Sequence, residues 1–158
     1  EIQKNRIDID YIIQRTERHA NLGIYVIWIL TDDKPKTFLH EGEQEDIYRI
    51  KKWEACLHEM YFERLYYWRQ EAYVMPYHFK TFSTWVEESE WYEDNGEHRQ
   101  EGGFYRETKT LKIPMPFPGP ILHLAEDFSA KMCRPSRFES YAIPQSKLWM
   151  DKNSAWWR

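Results

Sequence analysis

The feature that most constrains this fold is a helical pattern over residues 8–21, followed closely by an apolar run over residues 24–30. Apolar residues recur at helical spacing in the first stretch, Asp8 can cap its beginning, and Gly23 stands where a helix is expected to stop. The apolar run is rich in β-branched residues, which predicts a strand covered on both faces. With a short strand at residues 1–3, this order predicts a βαβ unit with parallel strands and hence an α/β fold.

The rest of the sequence predicts further elements. A helical pattern covers residues 47–61 and a hairpin covers residues 64–79, where Pro76 favours an edge strand. A second hairpin is expected around the turn at residues 94–96, which read Asp-Asn-Gly. Four prolines within residues 114–120 predict an extended connector with little regular structure.

Composition limits the size and the setting of the protein. With 158 residues, of which 42% are apolar, the chain can form one packed domain, or one domain with a smaller lobe. The net charge of −4 argues against a protein that coats nucleic acid through charge alone, although a local basic patch stays compatible with it. Cys56 and Cys133 form no Cys-x-x-Cys pair, and two free thiols favour a reducing, cytoplasmic setting.

Aromatic residues make up 17% of the chain, and many lie within residues 85–105 and 149–157. We expect these rings to fill the core of a small β-rich lobe, with stacking on nucleic-acid bases as the alternative. The tail from Arg134 onward is predicted to be irregular and anchored by aromatic side chains. His78 stands in an aromatic strand and is expected to be packed or hydrogen-bonded rather than catalytic.

A candidate site lies at the start of the chain. Alternate side chains of a strand share one face, so Glu1 and Gln3 would point the same way and Lys4 the opposite way. A carboxylate suits Mg²⁺, which prefers oxygen ligands and can polarise a phosphodiester while activating water. Gln3 could bind the metal through its amide oxygen or orient the attacking water. The pattern therefore predicts a metal-dependent nuclease site.

On the following helix, Arg15 and Arg18 lie three residues apart and can share a face. One interpretation is a clamp for phosphate groups, since a guanidinium group binds phosphate through paired hydrogen bonds. The other interpretation is a solvated helix surface, and the sequence alone leaves both open.

Three segments together resemble the nuclease-like domain of the competence protein CoiA family, which is similar to the PD-(D/E)xK nucleases. They read Glu-Ile-Gln at residues 1–3, Ile-Gln-Arg-Thr at residues 13–16 and Gly-Ile-Tyr-Val-Ile-Trp-Ile-Leu at residues 23–30. The hairpin over residues 64–79 is also similar to later strands of that family, so the resemblance covers about the first half of the chain. Gln14 departs from the Glu that is usual in the family.

The resemblance implies a restriction-endonuclease-like core of mixed α and β structure in residues 1–82. A β-rich accessory region would follow in residues 83–158. It also implies Mg²⁺-dependent hydrolysis of DNA, with Mn²⁺ as a substitute, in competence-type DNA processing or defence against foreign DNA. Glu1 would bind the metal, and Gln3 would hold the position that lysine has in the wider superfamily. Arg15 would contact phosphate or substrate.

The sequence leaves further substrate contacts and the partner of the protein open. Arg18 and Lys4 are additional candidates for substrate contact. The resemblance implies that the chain begins inside the domain, after the strand that would carry an Asp. DNA is the expected partner, RNA is a weaker alternative, and a protein partner or a homo-oligomer is also compatible with the sequence. The competing interpretation is a non-catalytic nuclease-like scaffold or binding module that uses its aromatic lobe to bind DNA or a protein.

Overall fold

The computed structural model describes residues 7–39 and 45–157, which form a mixed α+β fold with about 15% helix and 48% strand. The helices are α1, Ile9–Asn21, and α2, Lys52–Met60. The strands in chain order are β1 Ile29–Leu30, β2 Phe38–Leu39, β3 Asp46–Arg49, β4 Leu65–Gln70, β5 Tyr73–Val86, β6 Ser89–Tyr92, β7 His98–Glu101, β8 Phe104–Pro116, β9 Leu122–His123, β10 Phe128–Cys133, β11 Ser136–Phe138, β12 Tyr141–Ile143 and β13 Ser146–Asp151. Neither helix of the described ranges is long and apolar enough to cross a membrane.

Helix α1 begins and ends where the sequence predicts. The backbone N–H of Tyr11 donates to the Asp8 carboxylate at 2.7 Å, which satisfies one of the amide groups that a helix leaves without an internal partner. After the last turn the chain reverses through Gly23, whose φ of +77° is readily adopted by glycine. The buried face of the helix consists of Ile9, Ile12 and Thr16.

The largest sheet is curled and has the strand order β1–β4–β5–β8–β3–β2, with β9 added beside the beginning of β5. In this sheet β1 and β4 run parallel, and the other described neighbours are antiparallel. The predicted first strand, residues 1–3, lies outside the described residues, so the βαβ unit stays a prediction.

The apolar run over residues 24–30 forms less strand than the sequence predicts. Ladder pairing is confined to β1, and Val26 makes an isolated parallel bridge to Leu148. Residues 26–30 are half-buried and residues 24 and 25 are exposed, so the expectation of a strand covered on both faces is wrong. The reason is that the backbone of this segment bonds to the end of the chain and to a side chain, rather than to two flanking strands.

The second helix is shorter than its pattern indicates. Residues 46–49 form β3, which pairs with β2 and β8, and α2 begins only at Lys52. The Glu54 carboxylate accepts a hydrogen bond from the Lys51 N–H at 2.9 Å, which caps the helix at this point. Ile47 lies in β3, Ile50 directly follows that strand, and both side chains are buried. Two apolar residues of the helical pattern therefore belong to the sheet.

Both predicted hairpins are present, because β4 pairs antiparallel with β5, and β6 pairs with β7 around the turn at residues 94–96. The edge position predicted for Pro76 is wrong, because β5 lies between β4 and β8 and Pro76 is fully buried. A strand residue directs its N–H and C=O to the same side, and the Pro76 carbonyl accepts from the Phe117 N–H, just beyond the end of β8. The missing N–H of Pro76 therefore faces a place where no ladder bond is needed.

The proline-rich stretch is a strand for part of its length, not an irregular connector. Pro114 and Pro116 lie in β8, opposite Phe79 and Tyr77 of β5. Prolines two residues apart face the same way in a strand. The described pairing of β8 with β3 ends at Lys112, so the missing N–H groups fall on a side where the described strands make no ladder.

The C-terminal part is more regular than predicted. β10 pairs with β13 and β11 pairs with β12, so the tail from Arg134 is not irregular over residues 136–151. The predicted boundary between residues 82 and 83 falls inside β5, and one core cluster draws on residues from both sides of it, from Ile9 to Met150.

Candidate functional site

The structure places only part of the site predicted from sequence. Glu1, Gln3 and Lys4 lie outside the described residues, so the metal site stays a prediction. Arg15 and Arg18 lie one turn apart on α1, the first half-buried and the second exposed. That spacing is the one a phosphate clamp requires, and the clamp itself stays a prediction.

Helix α1 is tied to the segment before β1 by a side-chain hydrogen bond. The Trp28 indole N–H donates to the Thr16 hydroxyl at 3.0 Å, and Thr16 is buried to 1% exposure. The ring of Trp28 also lies edge-on to the ring of Tyr11, which stands more than one turn before Thr16 on α1. A buried hydroxyl is costly without a partner, so this bond fixes the helix in its position beside the segment.

The same segment is held from its other side by Tyr61. The buried Tyr61 hydroxyl donates to the Val26 carbonyl at 2.8 Å and accepts from the Trp28 N–H at 3.1 Å. One phenol therefore satisfies two backbone groups that a neighbouring strand would otherwise pair. Burial raises the pKa of Tyr61 far above the usual range, so the hydroxyl keeps its proton at any physiological pH.

A buried ion pair joins the beginning of β4 to the end of β13. Arg64 Nη1 lies 2.8 Å from both carboxylate oxygens of Asp151, and the two side chains are only 5% and 0% exposed. The Tyr66 hydroxyl donates to the same carboxylate, and the Trp157 ring covers the Arg64 guanidinium at 4.9 Å. This buried cluster fastens the two halves of the chain, because Arg64 and Asp151 lie 87 residues apart.

Two histidines stack next to that ion pair. The rings of His58 and His78 lie 5.3 Å apart, and Trp157 stacks on the other face of His78 at 4.7 Å. His78 bonds through Nδ1 to the Glu63 carbonyl at 2.8 Å, so the sequence prediction of a packed, hydrogen-bonded histidine is confirmed. Burial, and then the neighbouring His78, lower the pKa of His58 to about 3. His58 Nε2 accepts from the Phe79 N–H, which requires that nitrogen to be unprotonated.

The described ranges contain no group of three or more His, Cys, Asp or Glu side chains that could hold a metal ion. The buried carboxylate of Glu54 accepts from the Tyr48 hydroxyl and from the Lys51 N–H. Burial raises the pKa of Glu54 despite these bonds. Its acceptor sites are thus occupied by protein donors, which indicates a structural role.

The hairpin of residues 83–107, here called the aromatic arm, stands apart from the core. Every residue of 87–107 is exposed except Gly102, which is half-buried. Five rings of the arm are exposed by 43% to 74%: Trp85, Trp91, Tyr92, Phe104 and Tyr105. The expectation that the aromatic residues fill a core is therefore wrong for these five, whereas Trp149, Trp156 and Trp157 are half-buried as expected.

The arm is also acidic. It carries eight Asp and Glu against two Arg, a net charge of −6, whereas the rest of the chain has twenty basic and eighteen acidic residues, a net charge of +2. Arg99 is engaged by Glu93 and Glu97, so the negative charge of the other carboxylates dominates the surface. Such a surface repels phosphate groups, which weakens the idea that these rings stack on bases.

Neither the Arg64–Asp151 pair nor the stacking of His58 on His78 could be predicted from the sequence. Arg64 and Asp151 lie 87 residues apart, and no short motif links them. The exposure of the five rings could have been predicted, because acidic residues lie among them in the sequence on both sides of the turn at residues 94–96. Comparisons of this chain with protein-family models, with curated proteins and with solved structures found no significant match.

Proposed function

We propose that this chain is a metal-dependent nuclease that hydrolyses DNA phosphodiester bonds, built on a restriction-endonuclease-like core. The observation that carries the proposal is the 3.0 Å hydrogen bond between Trp28 and Thr16. It joins two of the segments in which the sequence resembles the CoiA family, so these segments lie together as parts of one site would. The parallel pairing of β1 with β4 is compatible with such a core.

The chemistry would depend on the first residues of the chain. The Glu1 carboxylate and the Gln3 amide oxygen are donors of the kind that Mg²⁺ prefers, so they would hold the ion. Mg²⁺, or Mn²⁺ in its place, would polarise the phosphate and make the attacking water more acidic. Arg15, with Arg18 and Lys4 as further contacts, would bind the DNA phosphates and hold the scissile bond in place.

A cleavage assay tests the proposal. Linear and circular DNA, single- and double-stranded, and RNA of the same sequence are incubated with the folded protein, with Mg²⁺, with Mn²⁺ or with a chelator. We expect cleavage of DNA that needs the metal, is lost in Glu1→Ala and is kept in Glu59→Ala, which removes an exposed carboxylate from α2. Cleavage that persists in folded Glu1→Ala would contradict the assignment of the site.

The role of Arg15 can be measured apart from cleavage. If its guanidinium contacts a phosphate, Arg15→Ala should weaken DNA binding and reduce the slope of log K against log salt by about one. Unchanged binding and an unchanged slope would favour the solvated or structural interpretation of this helix face. Preference for DNA over RNA follows from the same titration with both polymers.

A second candidate is a non-catalytic module that keeps a nuclease-like fold and binds a partner. The observation that favours it is the aromatic arm, because five exposed rings are surface that an enzyme site on α1 would not use. A folded protein that cleaves neither DNA nor RNA with either metal would support this candidate.

If the chain is the proposed nuclease, its setting would be competence-type DNA processing or defence against foreign DNA in the cytoplasm.

A further inference from the structure

The aromatic arm has the properties of an interaction surface. Trp85 and Tyr105 are cross-strand partners with rings 5.1 Å apart, so they share one face of the hairpin. Phe104, next to Tyr105 in the strand, points to the other face. Rings on both faces are therefore open to solvent, and burial of such rings in a contact is strongly favourable.

The charge of the arm restricts what can cover it. A net charge of −6 opposes nucleic acid and also anionic lipid surfaces. A protein surface that presents positive charge together with apolar groups would complement both the carboxylates and the rings. The occupant should therefore be sought among basic protein surfaces.

One such surface lies on this chain itself, in the segment of residues 129–152, here called the basic segment. Its basic residues are Lys131, Arg134, Arg137, Lys147 and Lys152. Its two acidic residues are already engaged, since Asp151 is buried against Arg64 and Glu139 pairs with Lys52. Apolar surface lies on both faces of β10, because Met132 is 55% exposed and the neighbouring Lys131 ammonium, on the opposite face, lies 4.0 Å from the exposed ring of Phe62.

We propose that the aromatic arm of one copy of this chain docks on the basic segment of a second copy. Reciprocal exchange of two arms would give a closed dimer with two equivalent contacts and would leave no arm unpaired. The inference stands on the exposed rings and the opposite charges of the two surfaces. It does not depend on the nuclease proposal, and a failed cleavage assay leaves it untouched.

Sedimentation velocity of the full chain over a wide range of concentration, at low and at high salt, tests the proposal. We expect a reversible dimer that weakens as salt rises, because attraction between the opposite charges contributes to the contact and is screened by salt. The ring variant Tyr92→Ser/Tyr105→Ser should raise the dimer dissociation constant by roughly tenfold or more. A wild-type chain that stays monomeric at low salt and high concentration would overturn the inference.

Charge reversal identifies the two surfaces. The arm variant Glu101→Lys/Glu107→Lys and the segment variant Arg134→Glu/Arg137→Glu change exposed side chains, so both should fold normally, as far-UV circular dichroism would verify. Each should dimerise more weakly than the wild type when alone, because the net charge changes from −6 to −2 in the arm variant and from +3 to −1 in the segment variant. An equimolar mixture should regain affinity, because its heterodimer keeps one unaltered contact and brings the substituted positions of the arm against those of the segment. Lys36→Glu, on an exposed loop outside both surfaces, is the matched control and should dimerise like the wild type. Dimers that resist both reversals, or a mixture without recovery, would refute the pairing of arm with segment.

Discussion

Replacing Asp151 by Asn should destabilise the protein far more than its small change in shape suggests. The Asp151 side chain is 0% exposed and receives Arg64 Nη1 at 2.8 Å on both oxygens, as well as the Tyr66 hydroxyl. Asn keeps the volume but removes the negative charge, which leaves a guanidinium that is only 5% exposed without its counter-ion. Breaking a buried pair in this way costs about 3–5 kcal/mol.

We expect a loss near the lower end of that range, about 3 kcal/mol, because the Asn oxygen can still accept one of the hydrogen bonds. For a chain of this size, 1 kcal/mol corresponds to about 2–4 °C in Tm, so the midpoint should fall by roughly 6–12 °C. Thermal unfolding measures the midpoint and urea unfolding measures the free energy, each followed by tryptophan fluorescence and by circular dichroism. The m-value should stay unchanged, because the surface exposed on unfolding is the same.

The matched control is Glu139→Gln, which also removes one carboxylate charge without changing shape. Glu139 pairs with Lys52 at 3.0 Å, but both side chains are more than half exposed, so water takes over the interaction when it is lost. Its unfolding midpoint should stay close to that of the wild type. If Asp151→Asn costs no more than Glu139→Gln, the reasoning about burial is refuted.

Three further predictions follow from local geometry. Burial lowers the pKa of His58 from 6.5 to about 3 in the folded state, so the unfolded state binds the proton more readily, and the stability from this group is complete above pH 6.5 and is lost as the pH drops below that value, by up to about 1.4 kcal/mol per pH unit. Urea unfolding of the wild type and of His58→Gln from pH 7.5 to pH 4.5 should therefore show a shallower decline of the free energy of unfolding in the variant. Gly102→Ala should loosen the arm, because a Cβ would lie 1.9 Å from the Glu87 carbonyl oxygen, whereas the Cβ of Gly96→Ala meets nothing within 4 Å and adds only the strain of a positive φ. Trypsin should therefore cleave the arm faster in Gly102→Ala than in Gly96→Ala, and equal rates would contradict the geometry. Burial raises the pKa of Cys56 to about 12, so a thiol reagent at pH 8 should modify this buried cysteine only when the protein unfolds, and rapid modification of the native protein would show that the site is open.

Sequence reasoning succeeded where structure is set by neighbours in the chain. Asp8 and Gly23 mark the two ends of α1 through bonds and torsions within a few residues, and the turn at residues 94–96 closes its own hairpin. These signals are local, so one sequence contains all of the information they need.

Structure that depends on a residue far away in the chain could not be predicted in this way. The run over residues 24–30 has the composition of a buried strand, but its backbone finds Tyr61 and residues 147–149 instead of two flanking strands. Pro114 predicts a break in regular structure, but its missing N–H faces a side of β8 where the described strands make no ladder. Of the candidate site, the arginine spacing on α1 could be predicted, whereas the Arg64–Asp151 pair could not, because nothing in composition or period links residues 87 apart.

The bridge between Val26 and Leu148 has a consequence for how the protein is made. During synthesis, residues 24–30 leave the ribosome long before the strand that accepts them, since 122 residues separate the two partners. Until β13 emerges, Val26 and Ile27 lack the cover of that strand and stay more accessible to chaperones and to other nascent chains. Such long-range closure also slows folding, because a large loop must be ordered before its contacts are gained. A ribosome that stalls before β13 would therefore leave the Val26 backbone without the strand with which it bridges in the folded protein.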